Sequence, residues 1–312
     1  MPLNEIIHGN CLEVMRQFPD KSIDMILCDL PYGTTACEWD TVIPLDQLWE
    51  QYERIIKDNR AIVLFATQPF TTRLISSNMK HFKYCWYWIK SKPNGFQHAK
   101  NRPMTKVEEI CVFSKAPMGH KSLLGTRRMV YNPQGVIPSG KKTISKATHG
   151  RTLGARPNQV GREYESYTGF PHNVLEFPNM TGKQAIHPTQ KPVVLCEYLI
   201  KTYTLPGEVV LDNCIGSGTT AIACINTGRN FIGIEIEEKY VKIARDRIEK
   251  HKKLDKMRLF PISELETGKL QYKGLYEPED EADKEAKKIA AATWNKKHPD
   301  KPVTNKTHKK RK

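Results

Sequence analysis

No C-x-x-C pair occurs among the eight cysteines of this 312-residue chain, at positions 11, 28, 37, 85, 111, 196, 214 and 224. The usual zinc and disulfide-exchange spacings are thereby excluded. Several thiols sit in apolar segments such as "MILCDL" and "EEICVFSK", which fits reduced, buried cysteines and no metal site. No apolar run is long enough to span a bilayer. The start "MPLNEIIHGNCLEVM" lacks the basic residues and long apolar stretch of a secretion signal, so a cytoplasmic protein with no membrane partner is expected. No internal repeat is evident, and no Gly-Lys-Ser/Thr follows a glycine-rich turn, which excludes a P-loop.

Acidic residues are nearly missing from one region. Residues 80–162 hold seventeen Lys/Arg against only Glu108 and Glu109, a balance of +15. Residues 1–79 balance at −5, 163–249 at −3 and 250–312 at +8. Cations interleaved with aromatics, as in "YCWYWIKSKPNGFQHAKNRP", are the electrostatic footprint of a polyanion partner. A solvated lysine-rich surface describes the tail better than this middle region.

Short apolar runs alternate with segments of helical spacing. "EIIHGN", "DMILCDL", "AIVLFA", "HFKYCWYWIK" and "EEICVFSK" read as strands. "LDQLWEQYERIIKD" and "FTTRLISSNMK" read as helices. The alternation predicts an α/β, doubly wound sheet. Residues 116–182 lose this pattern and become rich in Gly, Pro, Ser, Thr and Arg, too long for an ordinary loop and so a binding insertion or a small irregular lobe. Regular pattern returns with "PVVLCEYLIKTYT", then strand "EVVLDNC", turn "IGSGTT", helix "AIACINTG", strand "NFIGIEI" and helix "KYVKIARDRIEKHKK". Four regions follow: 1–115, the insertion 116–182, 183–253, and a polar tail 254–312. Within the tail "EPEDEADKEAKKIAAA" reads as an exposed helix and the last residues as disordered.

Two places carry chemistry. In "ILCDLPYG" an apolar strand ends in Asp29, Pro31 and Gly33 turn the chain, and Tyr32 adds a ring. The carboxyl edge of an open α/β sheet is where ligands bind; a turn-forming aspartate at a strand end is the plainer alternative. The second place is strand–Gly216-Ser217-Gly218–helix, followed by a strand ending at Glu235. Its glycines permit a tight turn, the helix N-terminus suits an anionic group, and Glu235 suits the two hydroxyls of a ribose. An adenosine ligand follows.

Together "DLPYG", "HPTQKP" at 187–192 and "LDNCIGSGTT" resemble, in this order, the beta group of amino-methylating DNA methyltransferases. The resemblance covers roughly residues 4–250. It implies S-adenosyl-L-methionine (AdoMet) as cofactor, a mostly parallel sheet of the AdoMet-dependent methyltransferase (Rossmann-like) type with one antiparallel edge strand, and an inserted target-recognition region. Catalysis falls to Asp29, the Leu30 carbonyl, Pro31 and Tyr32, which receive a base flipped out of duplex DNA. The cofactor falls to Asn10, Lys191 (near its carboxylate), Asp212, Gly216, Ser217, Gly218, Thr219 and Glu235. DNA contact is expected from Arg127, Arg128, Arg151 and Arg156 of the insertion. Leu30, Asn213-Cys214 and Asn10 depart from the family's usual Pro, Pro-Phe and Asp. An aspartate at position 29 favours adenine N6 over cytosine N4, because the cytosine enzymes usually carry serine there. "HPTQKP" also reads as a polar loop before a Pro-initiated helix. RNA or protein-amide methylation, and a binding protein with a decayed site, stay open, as do a homodimer and a partner restriction endonuclease.

Overall fold

The computed structural model describes residues 1–33, 41–119, 124–144, 161, 163–179 and 190–258. In chain order the elements are β1 (Glu5–His8), α1 (Cys11–Arg16), β2 (Ile23–Asp29), α2 (Leu45–Ile55), β3 (Ile56–Ala66), α3 (Phe70–Ser77), β4 (Phe82–Asn94) and β5 (Thr105–Phe113). They continue with β6 (Ile137–Ile144), β7 (Glu163–Thr168), β8 (Val174–Phe177), α4 (Val193–Tyr203), β9 (Val209–Asp212), α5 (Thr219–Thr227), β10 (Asn230–Glu235) and α6 (Glu238–Arg258).

Eight strands form one sheet in the order β1-β10-β9-β2-β3-β5-β4-β8. Seven run in one direction and β5 opposes them, paired antiparallel to β3 and β4 on its two sides. The reversed strand therefore lies inside the sheet, not at its edge as the resemblance implied. The edge belongs to β8, which pairs in parallel with β4. β8 falls within the 116–182 stretch, so that stretch does not stand wholly outside the sheet. Its β6 and β7 form a separate two-stranded antiparallel ribbon. Helix α6 continues to Arg258, past the boundary set at 253.

Side-chain alternation along the strands sorts the apolar residues into two cores. Met25, Leu27, Val63, Phe65, Trp86, Trp88, Ile110 and Val112 meet α4, α5 and α6 on one face. Ile26, Cys28, Ile62, Leu64, Cys111 and Phe113 meet α1, α2 and α3 on the other. The helices follow from the same apolar logic. In α2, Leu45, Leu48, Trp49, Tyr52 and Ile55 recur at helical spacing and all are buried. Because the strands around β2 are parallel, the ends of β1, β10, β9, β2 and β3 share one carboxyl edge.

Candidate active site

Alternation carries past the core to the sheet edge. Asp29 continues the Met25–Leu27 series, Glu108 the Val112–Ile110 series and Lys90 the Trp86–Trp88 series, so all three project to the α4 face. Pairing of Asp29 with Phe65, Phe65 with Ile110, and Trp88 with Glu108 brings them to one corner. Lys191, just ahead of α4, drops onto this corner above the Phe65 ring, 5.0 Å from its centre.

The contacts are direct. Asp29 Oδ2 accepts from Lys191 Nζ at 2.5 Å, and Asp29 Oδ1 from the Tyr32 hydroxyl at 2.6 Å. The same Lys191 ammonium lies 2.9 Å from Glu108 Oε1, and Lys90 Nζ lies 2.8 Å from Glu108 Oε2. Burial raises the Asp29 pKa, Lys191 counters it and Glu108 adds to it. Burial works against the charge on Lys191, yet Asp29 and Glu108 together hold its pKa above the ordinary lysine value. For Glu108, burial is outweighed by Lys191 and Lys90, and its pKa is lowered.

Tyr32 is less free than a stacking platform for a base was expected to be. Its ring packs on Phe70 at 5.0 Å between centroids and 29° between planes, which leaves one face without a ring partner among the described residues. Leu30 turns its side chain into the α2-side core.

The second half of the site is built largely from main chain. The Glu235 carboxylate, at the end of β10, accepts the Gly216 N–H at 2.8 Å and the Glu237 N–H at 3.0 Å. Burial raises its pKa and these backbone donors oppose the rise. Gly218 sits at φ +84°, and a Cβ there would stand 3.2 Å from Ala244 Cβ, so only glycine serves. Asp212 braces the turn: it accepts the Thr220 hydroxyl at 2.6 Å and the Cys214 N–H at 3.1 Å. Burial pushes its carboxyl up to about 7 against those hydrogen bonds. Ser217 and Thr219 are buried, with their hydroxyls accepting from Arg247 at 3.3 and 3.1 Å. Asn10 caps α1, taking the Leu12 N–H at 2.9 Å and the Glu13 N–H at 3.4 Å. The Gly9 N–H donates to the Glu235 carbonyl at 2.9 Å, which seats Asn10 beside the strand end.

The expected residues thus divide. Asp29, Tyr32 and Lys191 meet at one corner, while Gly216, Gly218 and Glu235 form the adjacent turn. Asp212, Ser217 and Thr219 spend their side chains holding that turn together. Arg127 and Arg128 lie elsewhere: Asn59, near the start of β3, accepts the Val130 N–H at 2.9 Å, and its side chain reaches the Thr126 carbonyl at 3.4 Å. Six residues of strand separate Asn59 from Phe65, or ~20 Å, so these two arginines belong to the amino edge and not to the mouth beside Asp29. Arg151 and Arg156, His187–Thr189 of "HPTQKP", and the tail from 259 onward lie outside the described residues.

Sequence reasoning missed Glu108, Lys90 and Ile236. Glu108 had a signal, being one of only two acids in the basic middle region. Ile236 follows Glu235 directly and is 55% exposed, an apolar face where a flat ring could lie beside a ribose. Carboxylate, glycine turn and exposed apolar face together fit an adenosine group.

A mostly parallel sheet with a glycine turn and a strand-end acid, next to a strand-end aspartate on a Leu-Pro-Tyr turn, has the architecture of the AdoMet-dependent methyltransferases. Residues 23–246 match the model of the DNA methylase family of N6/N4 type, and the chain belongs to that family. It is 28% identical over 266 residues to the type II methyltransferase M1.MboII of Moraxella bovis, spanning 78% of this chain and 96% of the relative. It is 25% identical over 277 residues to the DNA adenine methyltransferase YhdJ of Escherichia coli (strain K12), spanning 85% and 89%. The crystal structure of the M1.HpyAVI–SAM complex superposes with a TM-score of 0.52 at 25% identity, covering 78% of this chain and 98% of that one. The protein is a DNA methyltransferase.

Proposed function

We propose that this enzyme methylates the exocyclic N6 of an adenine flipped out of duplex DNA, with AdoMet as donor. The observation that carries the reading is the Asp29 carboxylate at the head of the Leu-Pro-Tyr turn, next to the glycine turn and Glu235. Bound on the 213–218 turn and Glu235, AdoMet supplies an electrophilic methyl group.

The remaining tasks fall to side chains of this protein. An adenine amine is a poor nucleophile because its lone pair is delocalised into the ring. Asp29 accepts one amino hydrogen and the Leu30 carbonyl the other, which draws the nitrogen towards a tetrahedral form and localises the pair. Leucine serves as well as proline at position 30 because that contact uses main chain. Pro31 stiffens the turn, and the open face of Tyr32 stacks on the base for ~1–3 kcal/mol. Much of the rate then comes from holding the amine in line with the methyl group. The duplex is gripped beside the mouth by the exposed Lys92 near the end of β4, Lys100 and Arg102 on the β4–β5 connection, and Lys106 at the start of β5, all at the same carboxyl edge.

Expression in a methylation-free host, followed by sequencing that reads modified bases, tests the assignment. N6-methyladenine in one sequence context is expected. N4-methylcytosine would overturn the choice of base. Unmodified DNA, with labelled methyl transferred from AdoMet to RNA or protein instead, would overturn the substrate.

A further inference from the structure

Behind Asp29 runs a chain of alternating charge: Lys191 at 2.5 Å, Glu108 at 2.9 Å from Lys191, and Lys90 at 2.8 Å from Glu108. Lys90 and Glu108 are almost fully enclosed, and only Asp29, at the outer end, keeps partial exposure. Burying such groups is costly, and removing one partner strands a charge in the interior. Apolar residues would fill the space between β4 and β5 without that cost, so packing alone does not explain the chain. Its geometry explains it better. Glu108 Oε1 is fully enclosed with the Lys191 ammonium close by, and the second oxygen is taken by Lys90. The Lys191 ammonium is thereby paired with two carboxylates at once, Asp29 and Glu108.

We propose that Glu108, itself anchored by Lys90, is a positioning residue that seats the Lys191 ammonium on Asp29 Oδ2, and that this seated cation keeps Asp29 a carboxylate able to accept the amine hydrogen. Among the described residues, the groups facing Asp29 are Tyr32 and Cys28 from its own segment, Asp212 from β9, Cys196 from α4, Glu108 from β5, and Lys191, the one cation in that set. A protonated Asp29 presents one oxygen as a donor and loses its pull on the amine. Activity therefore falls as pH drops through the Asp29 pKa, and removing Lys191 moves that acid limb to higher pH.

The inference rests on Asp29 as the amine acceptor, and the experiment separates the two. The pH profile of kcat is measured for the wild type, Lys191→Met, Glu108→Gln and the double variant, with AdoMet affinity and melting temperature measured on each. Lys191→Met is expected to lose more kcat at pH 6 than at pH 8. Glu108→Gln is expected to lower kcat by roughly tenfold, the scale of a coupled pair, and to add nothing further in the Lys191→Met background. If Glu108→Gln fails to fold, the neutral pair Glu108→Gln with Lys90→Met takes its place under the same criterion. An unmoved acid limb in Lys191→Met, or additive losses in the double variant, would overturn the proposal. Undiminished turnover by Asp29→Ala would instead remove the amine-acceptor assignment beneath it.

Discussion

Strand β2 carries an aspartate near each end, and the two have contrasting surroundings. Asp24, at the amino edge, has a side chain 4% exposed and is ringed by Lys57 Nζ at 2.7 Å, Arg60 at 3.3 Å and the Val209 N–H at 3.1 Å. Arg60 in turn pairs with Glu208, so this cluster ties β2, β3 and β9 together around an enclosed carboxylate. Asp29, at the carboxyl edge, is 22% exposed, and its partners come from the turn after β2 and from a segment 162 residues away. One aspartate is locked on every side and serves the fold. The other is held from behind and left open in front, which is the arrangement a substrate contact requires. Partners converging from distant segments onto a partly open carboxylate mark the functional end of the sheet.

The sharpest way to break the contrast is to remove each aspartate. Asp29→Ala is expected to cut turnover by about 10²-fold or more, the scale of losing one aimed electrostatic contact in an enclosed site. AdoMet affinity, measured by calorimetry, should stay close to that of the wild type. Next in size is Glu235→Ala at the neighbouring turn, where AdoMet binding should weaken by about 1.5–3 kcal/mol for one charge-assisted contact. Unchanged affinity in the folded variant would show that the ribose lies elsewhere. Asp24→Ala should do the reverse of Asp29→Ala. Chemical denaturation should show a loss of about 1–3 kcal/mol from the unpaired Val209 N–H and the lost Lys57 pair, with turnover per folded molecule retained.

The smallest effects separate the cations of the two edges. Lys100→Ala and Arg102→Ala should each lower the salt slope of DNA binding by about 0.9, one counterion-releasing phosphate contact apiece. Arg127→Ala and Arg128→Ala, at the amino edge, should leave that slope as it was. A slope that falls for the 127–128 pair and holds for 100 and 102 would place the duplex on the wrong side of the sheet.

Much was determined by the sequence alone because its signals are local. Apolar runs and helical spacing marked the strands and helices, since burial of one face leaves its period in the chain. Gly218 and Glu235 stood out because a tight turn and a strand-end acid are set within a few residues. Asp29 and Tyr32 were legible for the same reason, within a five-residue turn. Tertiary structure decided the rest. Glu108 and Lys90 belong to the site only because strand register places Trp88 across from Glu108 and Phe65 between Ile110 and Asp29. Lys191, assigned from the motif to the cofactor's carboxylate, sits on Asp29 because α4 begins over that corner. Ser217 and Thr219 turn inward because Arg247 of α6 packs beneath the loop. Arginine density in the sequence pointed to 127 and 128, yet a charge count carries no information about which sheet edge the folded chain assigns them. Local chemistry can be read along a chain; the side of the sheet on which a charge ends up is set by pairings between residues far apart in it.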